Sequence, residues 1–298
     1  MDAVTAMRAC YVVVAFCIAV AGSVPILSKC FLTYGSRETI QASGEGKTNN
    51  AAVQLINTLA TIRVPHSWFA SFYVVSVACS ILWASQMVLD ASIVRTVAAA
   101  AKQRSHSMSI EQVAVTWLLM LLQGTRRLYE CMTLTKPSSS QMWIGHWAFG
   151  LWFYTTTSVA VWIEGSSALL SASQQAKHIS LQSPSLRTVV GITGFFVASA
   201  IQHYCHAYLA SLKKYTVPSH PLFHRVVCPH YLAECLIYMT MSLVAAPRGC
   251  VFNRTLLAAL FLVAVNLGIT ADGTKTWYRD KFGKQSVESR WRMIPFIY

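Results

Sequence analysis

The sequence predicts an all-α, polytopic membrane protein with about seven transmembrane helices and a cytosolic C-terminus, forming one membrane-embedded domain over residues 1–298. Composition is the first ground: 54% of the residues are hydrophobic and 12% are charged, too apolar for a soluble chain of this length. A spanning helix needs about 20 mostly apolar residues. Such runs recur near 8–30, 66–89, 112–134, 144–171, 186–212, 226–246 and 253–272. The third ground is charge placement. With a lumenal N-terminus, 16 of the 24 lysines and arginines fall in cytosolic segments and 8 opposite, and cationic loops favour the cytosolic side. The net charge of +13 would otherwise suit nucleic acid. That partner calls for basic residues gathered on one soluble face, whereas these lie between apolar runs, so membrane lipid is expected and nucleic acid is not.

The first run lacks a basic n-region and is followed by further spans, so it reads as a retained helix rather than a signal peptide. After it, Thr33-Tyr34-Gly35-Ser36-Arg37 opens a polar loop rich in Gly, Asn and Thr on the cytosolic side. Residues 51–62 are mildly amphipathic and lead to Pro65, which is placed to start the second helix in the usual first-turn position of proline. That span ends near Asp90. In the third span Gln123, Arg126, Arg127 and Glu130 fall at i, i+3, i+4 and i+7, which puts them on one helix face as a polar stripe. Two arginines inside a membrane helix require partners or water. The stripe is either a structural ion pair to Glu130 or the wall of a cavity for an anionic ligand.

Pro137 and the serines after it make the next turn, and the fourth span is rich in aromatic residues suited to packing or to an interface belt. The stretch from Ile201 to Glu234 ends an apolar helix in polar and aromatic residues, turns through a basic, Pro-rich loop and re-enters an apolar segment. Ionisable side chains are expensive in a bilayer, so Gln202, His203, His206, His230 and Glu234 are candidates for a site, although His and Gln at helix ends also simply cap carbonyls. The nine cysteines are scattered, without a CxxC pair; they read as small buried hydrophobes and no metal site is expected. Asn253-Arg254-Thr255 fits a glycosylation acceptor. The apolar ending Ile294-Pro295-Phe296-Ile297-Tyr298 suggests a tail folded back onto the membrane domain.

Taken in order, V-P-x-S-W-F-x-x-F-Y at Val64–Tyr73, Q-x-x-R-R-L-Y-E-C at Gln123–Cys131, C-P-H-Y-L-A-E at Cys228–Glu234, and W-Y-x-x-K-F with the terminal I-P-F-I-Y over 277–298 resemble the steroid 5α-reductase family, in its polyprenal (polyprenol) reductase branch. The resemblance spans nearly the whole chain and is densest over about 112–298. It implies a seven-helix reductase of the endoplasmic reticulum membrane that holds NADPH in a cavity open to the cytosol, with no Rossmann domain; the absence of G-x-G-x-x-G agrees. Carried over by position, it implies cofactor contacts at Tyr34, Gln202, His206, Lys213, His230, Glu234 and Tyr278. The chemistry is compatible, because Lys213, Lys214, Arg225, Lys275 and Arg279 supply cations for phosphates.

Steroid-reducing relatives carry Glu and Tyr where this chain has Arg63 and Gln123, which argues against a steroid as main substrate. A nicotinamide hydride adds readily only to a conjugated alkene. The expected substrate is therefore polyprenal, a long polyisoprenoid aldehyde, reduced on the dolichol route that serves protein N-glycosylation. In that reading Gln123 polarises the aldehyde oxygen and Arg126 or Arg127 stabilises the cofactor. The alternatives are a 3-oxo-5α-steroid or enoyl-CoA reductase of the same family, a membrane prenyl or lipid methyltransferase, whose paired tail glutamates are absent, and a transporter, whose internal symmetry is absent.

Overall fold

The computed structural model describes residues 1–28, 31, 58–101, 106–136, 139–174, 184–213 and 215–298. Nine helices of nine residues or more are found among them: α1 (Ala3–Ser23), α2 (Ala70–Val88), α3 (Ser92–Ala100), α4 (Ile110–Thr133), α5 (Ile144–Ala160), α6 (Ser166–Gln174), α7 (Leu186–Ser211), α8 (Pro229–Val244) and α9 (Arg254–Phe282). Two three-residue strands, β1 (Arg63–Pro65) and β2 (Gln141–Trp143), pair antiparallel with Val64 opposite Met142. Helix α7 packs along α8, α1 along α9, and α2 touches both α4 and α5. The all-α membrane architecture is as expected. Four helices, Ala3–Ser23, His66–Val88, Leu186–Ser211 and Arg254–Phe282, are long and apolar enough to cross a bilayer.

Caps fix where these helices begin. Asp2 accepts from the Thr5 amide at 3.1 Å. Ser109 and Gln112 form a reciprocal capping box at the start of α4, satisfying two amides that the helix itself leaves without partners. The Gln112 amide also donates to the carbonyls of Val244 at 2.9 Å and Ala246 at 2.7 Å. One side chain thus caps α4 and ties its start to the end of α8.

Three local expectations change. Pro65 does not open the second helix; it ends β1, and a 3₁₀ turn over His66–Phe69 intervenes before α2. The run 144–171 is not one helix. It breaks at a 3₁₀ turn over Ile163–Gly165, where the Glu164 carbonyl accepts from the Met108 amide (3.1 Å) and the Ser107 hydroxyl (3.0 Å), so tertiary bonds replace helical ones. Asn253 is fully buried, caps the Leu256 amide at 3.0 Å and donates to the Ala245 carbonyl, which leaves no place for a glycan.

The Glu164 carboxylate pins α1 to α9 at the end of the bundle that holds both their N-termini. It accepts from Arg8 at 2.7 Å, the Thr255 amide at 2.8 Å and the Thr255 hydroxyl at 2.6 Å. Glu164→Ala is expected to destabilise the protein by roughly 1.5–3 kcal/mol, the value of hydrogen bonds to a charged group, seen as a lower melting temperature in detergent with turnover at permissive temperature retained.

At the other end the tail folds back, as the apolar ending suggests. Val227 and Cys228 donate to the carbonyls of Trp291 (2.8 Å) and Arg292 (3.0 Å), and Arg292 pairs with Asp272 of α9. The Met293 amide reaches the Tyr298 carbonyl at 2.9 Å and the Tyr298 hydroxyl reaches Gly268.

Candidate active site

The polar stripe of α4 meets α7 and α8. Its lower anchor is Glu130, 2% exposed. Each oxygen of Glu130 takes one guanidinium and one imidazole: Oε1 takes Arg126 and His203 Nδ1 (2.7 Å), and Oε2 takes Arg127 and His206 Nδ1 (2.8 Å). The ion-pair reading of the stripe holds, and Arg127 also lines a cavity.

A second layer joins the same three helices. Arg126 donates to Gln123 Oε1 at 2.9 Å and to Gln202 Oε1, and Gln202 Nε2 donates to Glu234. Gln123 Nε2 lies 3.0 Å from Gln202 Oε1 and 3.4 Å from Glu234 Oε2. Buried amides and carboxylates matched in this way lose little on leaving water. From α2, Tyr73 accepts from Arg127 Nε (3.2 Å) and Nη2 (2.9 Å). Gly124 permits this meeting, since a Cβ there would lie 2.8 Å from Ser76 Oγ of α2.

Above these groups opens a cavity of about 840 Å³, its mouth included. Arg127, Gln202, His206 and Glu234 form its polar wall; Phe69, Phe72, Tyr73, Phe149, Phe153 and Tyr154 form an aromatic one, and Leu262, Val263 and Asn266 of α9 face them. Apolar cavities with a few convergent polar groups are the usual form of ligand sites.

Of the residues singled out in the sequence, Gln123, Arg126, Arg127, Gln202, His206 and Glu234 are brought together in one network, four of them on the cavity. His230 stands beside it, its ring 5.4 Å from that of His206 and its Nδ1 buried with no hydrogen-bond partner among the described residues. Lys213 is exposed just past α7, and Tyr278 packs against Trp277, Phe282 and the tail core rather than lining the cavity. Tyr34 lies outside the described residues.

Sequence reasoning left Tyr73, His146, Tyr154 and Asn266 out of the site, and all four line the cavity. Only Tyr73 had a signal to find it by: it closes the Val64–Tyr73 motif, which meets the Gln123–Cys131 motif through the contact to Arg127.

Comparison with known proteins bears on this geometry. The family model for 3-oxo-5-alpha-steroid 4-dehydrogenase matches residues 163–298, the stretch holding α7, α8, α9 and the tail. Polyprenal reductase of Saccharomyces cerevisiae is 31% identical over 187 residues, 61% of this chain and 64% of that protein. Polyprenal reductase 2 of Oryza sativa subsp. indica is 27% identical over 324 residues, 91% of this chain and 89% of its own length. The chain is similar to these reductases over most of its length. A likeness of 24% to the mouse polyprenal reductase, over 85% of the chain, is of the same kind. The residues that complete the network from α2 and α4 lie upstream of the region the family model matches.

Proposed function

We propose that the chain is an NADPH-dependent oxidoreductase that reduces the α-isoprene double bond of polyprenal, within the dolichol route. The observation that carries this reading is the two-sided cavity: a cationic, amide and imidazole wall for a dinucleotide beside an aromatic wall for a prenyl chain, set among apolar helices that give a lipid lateral access. The relatives named polyprenal reductases support the substrate class. The reading includes seven membrane crossings by α1, α2, α4, α5, α7, α8 and α9, a cytosolic C-terminus, residence in the endoplasmic reticulum, and residues 1–298 acting as one domain.

The residues present fit NADPH. Gln202, His206 and Glu234 suit ribose and carboxamide groups. The Nδ1 of His230 and the Nε of Arg126, without a hydrogen-bond partner among the described residues, are buried atoms that a polar ligand would satisfy. Lys213, Arg225, Arg279 and Lys281 are exposed around the loop and tail and supply cations for phosphates, with Tyr34 and Tyr278 as further contacts. When bound, this cofactor supplies a hydride. The protein's own part is to fix the polar wall through Glu130, to hold Arg127 charged beside the reacting oxygen, and to exclude water with the aromatic wall.

Purified protein in detergent is expected to lose Trp fluorescence on NADPH addition and to consume NADPH when polyprenal is added. Consumption with a steroid enone or an enoyl-CoA but not with polyprenal overturns the substrate. Binding of S-adenosylmethionine in place of NADPH overturns the reaction class.

A further inference from the structure

We propose that Tyr73 is the residue that polarises and protonates the substrate's aldehyde oxygen, an inference that rests on the reading of the cavity as a polyprenal reductase site. The oxygen of a substrate reduced by hydride becomes electron-rich as the hydride arrives, so the wall facing it must offer a hydrogen-bond donor. On the cavity, Arg127, Gln202, His206 and Glu234 are already engaged with one another or with Glu130 and Tyr73. Gln202 gives its amide to Glu234, and Arg127 gives Nε and Nη2 to Tyr73 and Nη1 to Glu130. Gln123 is not on the lining, and its amide nitrogen serves Gln202 and Glu234.

Tyr73 differs. It is 4% exposed and lines the cavity, and its oxygen accepts two N–H bonds from Arg127. A phenol has one O–H donor beside its lone pairs. With the lone pairs taken by the guanidinium, the remaining hydrogen can turn to a ligand in the cavity. Arg127 also lies 4.8 Å from the Tyr73 ring centroid, so a fixed positive charge stands where a phenolate would form. Glu130 holds that guanidinium in place. Tyr154 of α5, which also lines the cavity, packs edge-on to Tyr73 at 5.2 Å with no guanidinium stacked on it among the described residues.

The step balances. A hydride pair forms a C–H bond at the β-carbon while the alkene π pair shifts toward the carbonyl. The Tyr73 O–H bond breaks and a new O–H bond forms on the substrate, giving an enol and a Tyr73 phenolate beside Arg127. Water returns a proton to the phenolate, and the enol tautomerises, placing a proton on the α-carbon of the saturated aldehyde. One hydride and one proton are consumed.

The test is Tyr73→Phe, which keeps the ring and removes only the hydroxyl. General acid assistance contributes roughly 10²–10⁴-fold, so turnover of polyprenal is expected to fall about 100-fold or more while NADPH fluorescence quenching keeps its midpoint within about twofold. Tyr154→Phe is expected to lose less. Wild-type single-turnover reduction is expected to slow in D₂O. A Tyr73→Phe enzyme running at more than about a third of the wild-type rate, a larger loss in Tyr154→Phe, or equal single-turnover rates in H₂O and D₂O overturns the role of Tyr73 and leaves the reductase reading standing. Wild-type protein that binds NADPH but leaves polyprenal unreduced overturns both.

Discussion

Glu130→Ala is expected to abolish NADPH binding and to destabilise the protein by about 3–5 kcal/mol, the cost of leaving a buried charge without its partner. Four groups converge on this carboxylate, two guanidinium and two imidazole, from α4 and α7. Without it Arg126 and Arg127 stand four and three residues before an empty position in an apolar bundle, repelling one another, with His203 and His206 released from their common acceptor. The exposed-pair rule, under which ion pairs contribute about 0–1 kcal/mol, does not apply, because Glu130 is 2% exposed and Arg127 is 12% exposed at the side chain. Glu130→Gln separates charge from shape. It retains one oxygen acceptor, so it should fold better than the alanine variant yet lose cofactor affinity, since one side of the network then meets an amide N–H. Melting temperature and NADPH quenching, measured together in detergent, check both. A Glu130→Ala protein that melts with the wild type and binds NADPH equally well would show that the arginines do not depend on this carboxylate.

The stripe itself was legible because helical spacing alone puts residues 123, 126, 127 and 130 on one face, and because charge inside an apolar run has few uses that do not involve partners. The partners on α7 and α8 were legible for the same reason. Their pairing was not: nothing in the spacing says that Glu130 takes His203 on one oxygen and His206 on the other, since that depends on the rotation of α7 against α4. Tyr73 was hidden by its surroundings. In a stretch reading Phe69, Phe72 and Tyr73, a phenol reads as one more aromatic, and only the approach of α4 at Gly124 makes its hydroxyl polar chemistry. The break after α5 was invisible because the residues there, Val161, Trp162 and Ile163, are as apolar as a helix core. What ends the helix is Glu164, whose backbone and side-chain bonds reach residues 57 and 156 positions away. Asn253 misled in the opposite direction. A sequence triplet cannot report burial, and burial makes the asparagine a helix cap.

Arg127→Lys is expected to keep the charge and lose the enzyme, with turnover down about 100-fold or more, a scale set by losing a fixed donor at the reacting oxygen. The guanidinium makes contacts in three directions at once: Nε and Nη2 fork onto the Tyr73 oxygen, at 3.2 and 2.9 Å, while Nη1 reaches Glu130 and His206. A lysine ammonium is a single nitrogen on a flexible stem and cannot present a planar fork. It can pair with Glu130 or approach Tyr73, and whichever it leaves loses its partner. Pairing with the carboxylate is favoured by full charge. The Tyr73 oxygen is then freed to accept other bonds, its hydrogen loses its fixed direction, and no cation stands beside a forming phenolate. Stability should fall far less than in Glu130→Ala, because the Glu130 carboxylate keeps a cation on each side. The distinguishing pattern is a near-normal melting temperature and NADPH quenching midpoint together with the turnover defect. An Arg127→Lys enzyme at the wild-type rate would mean that charge alone suffices at this position and that the fork onto Tyr73 is incidental.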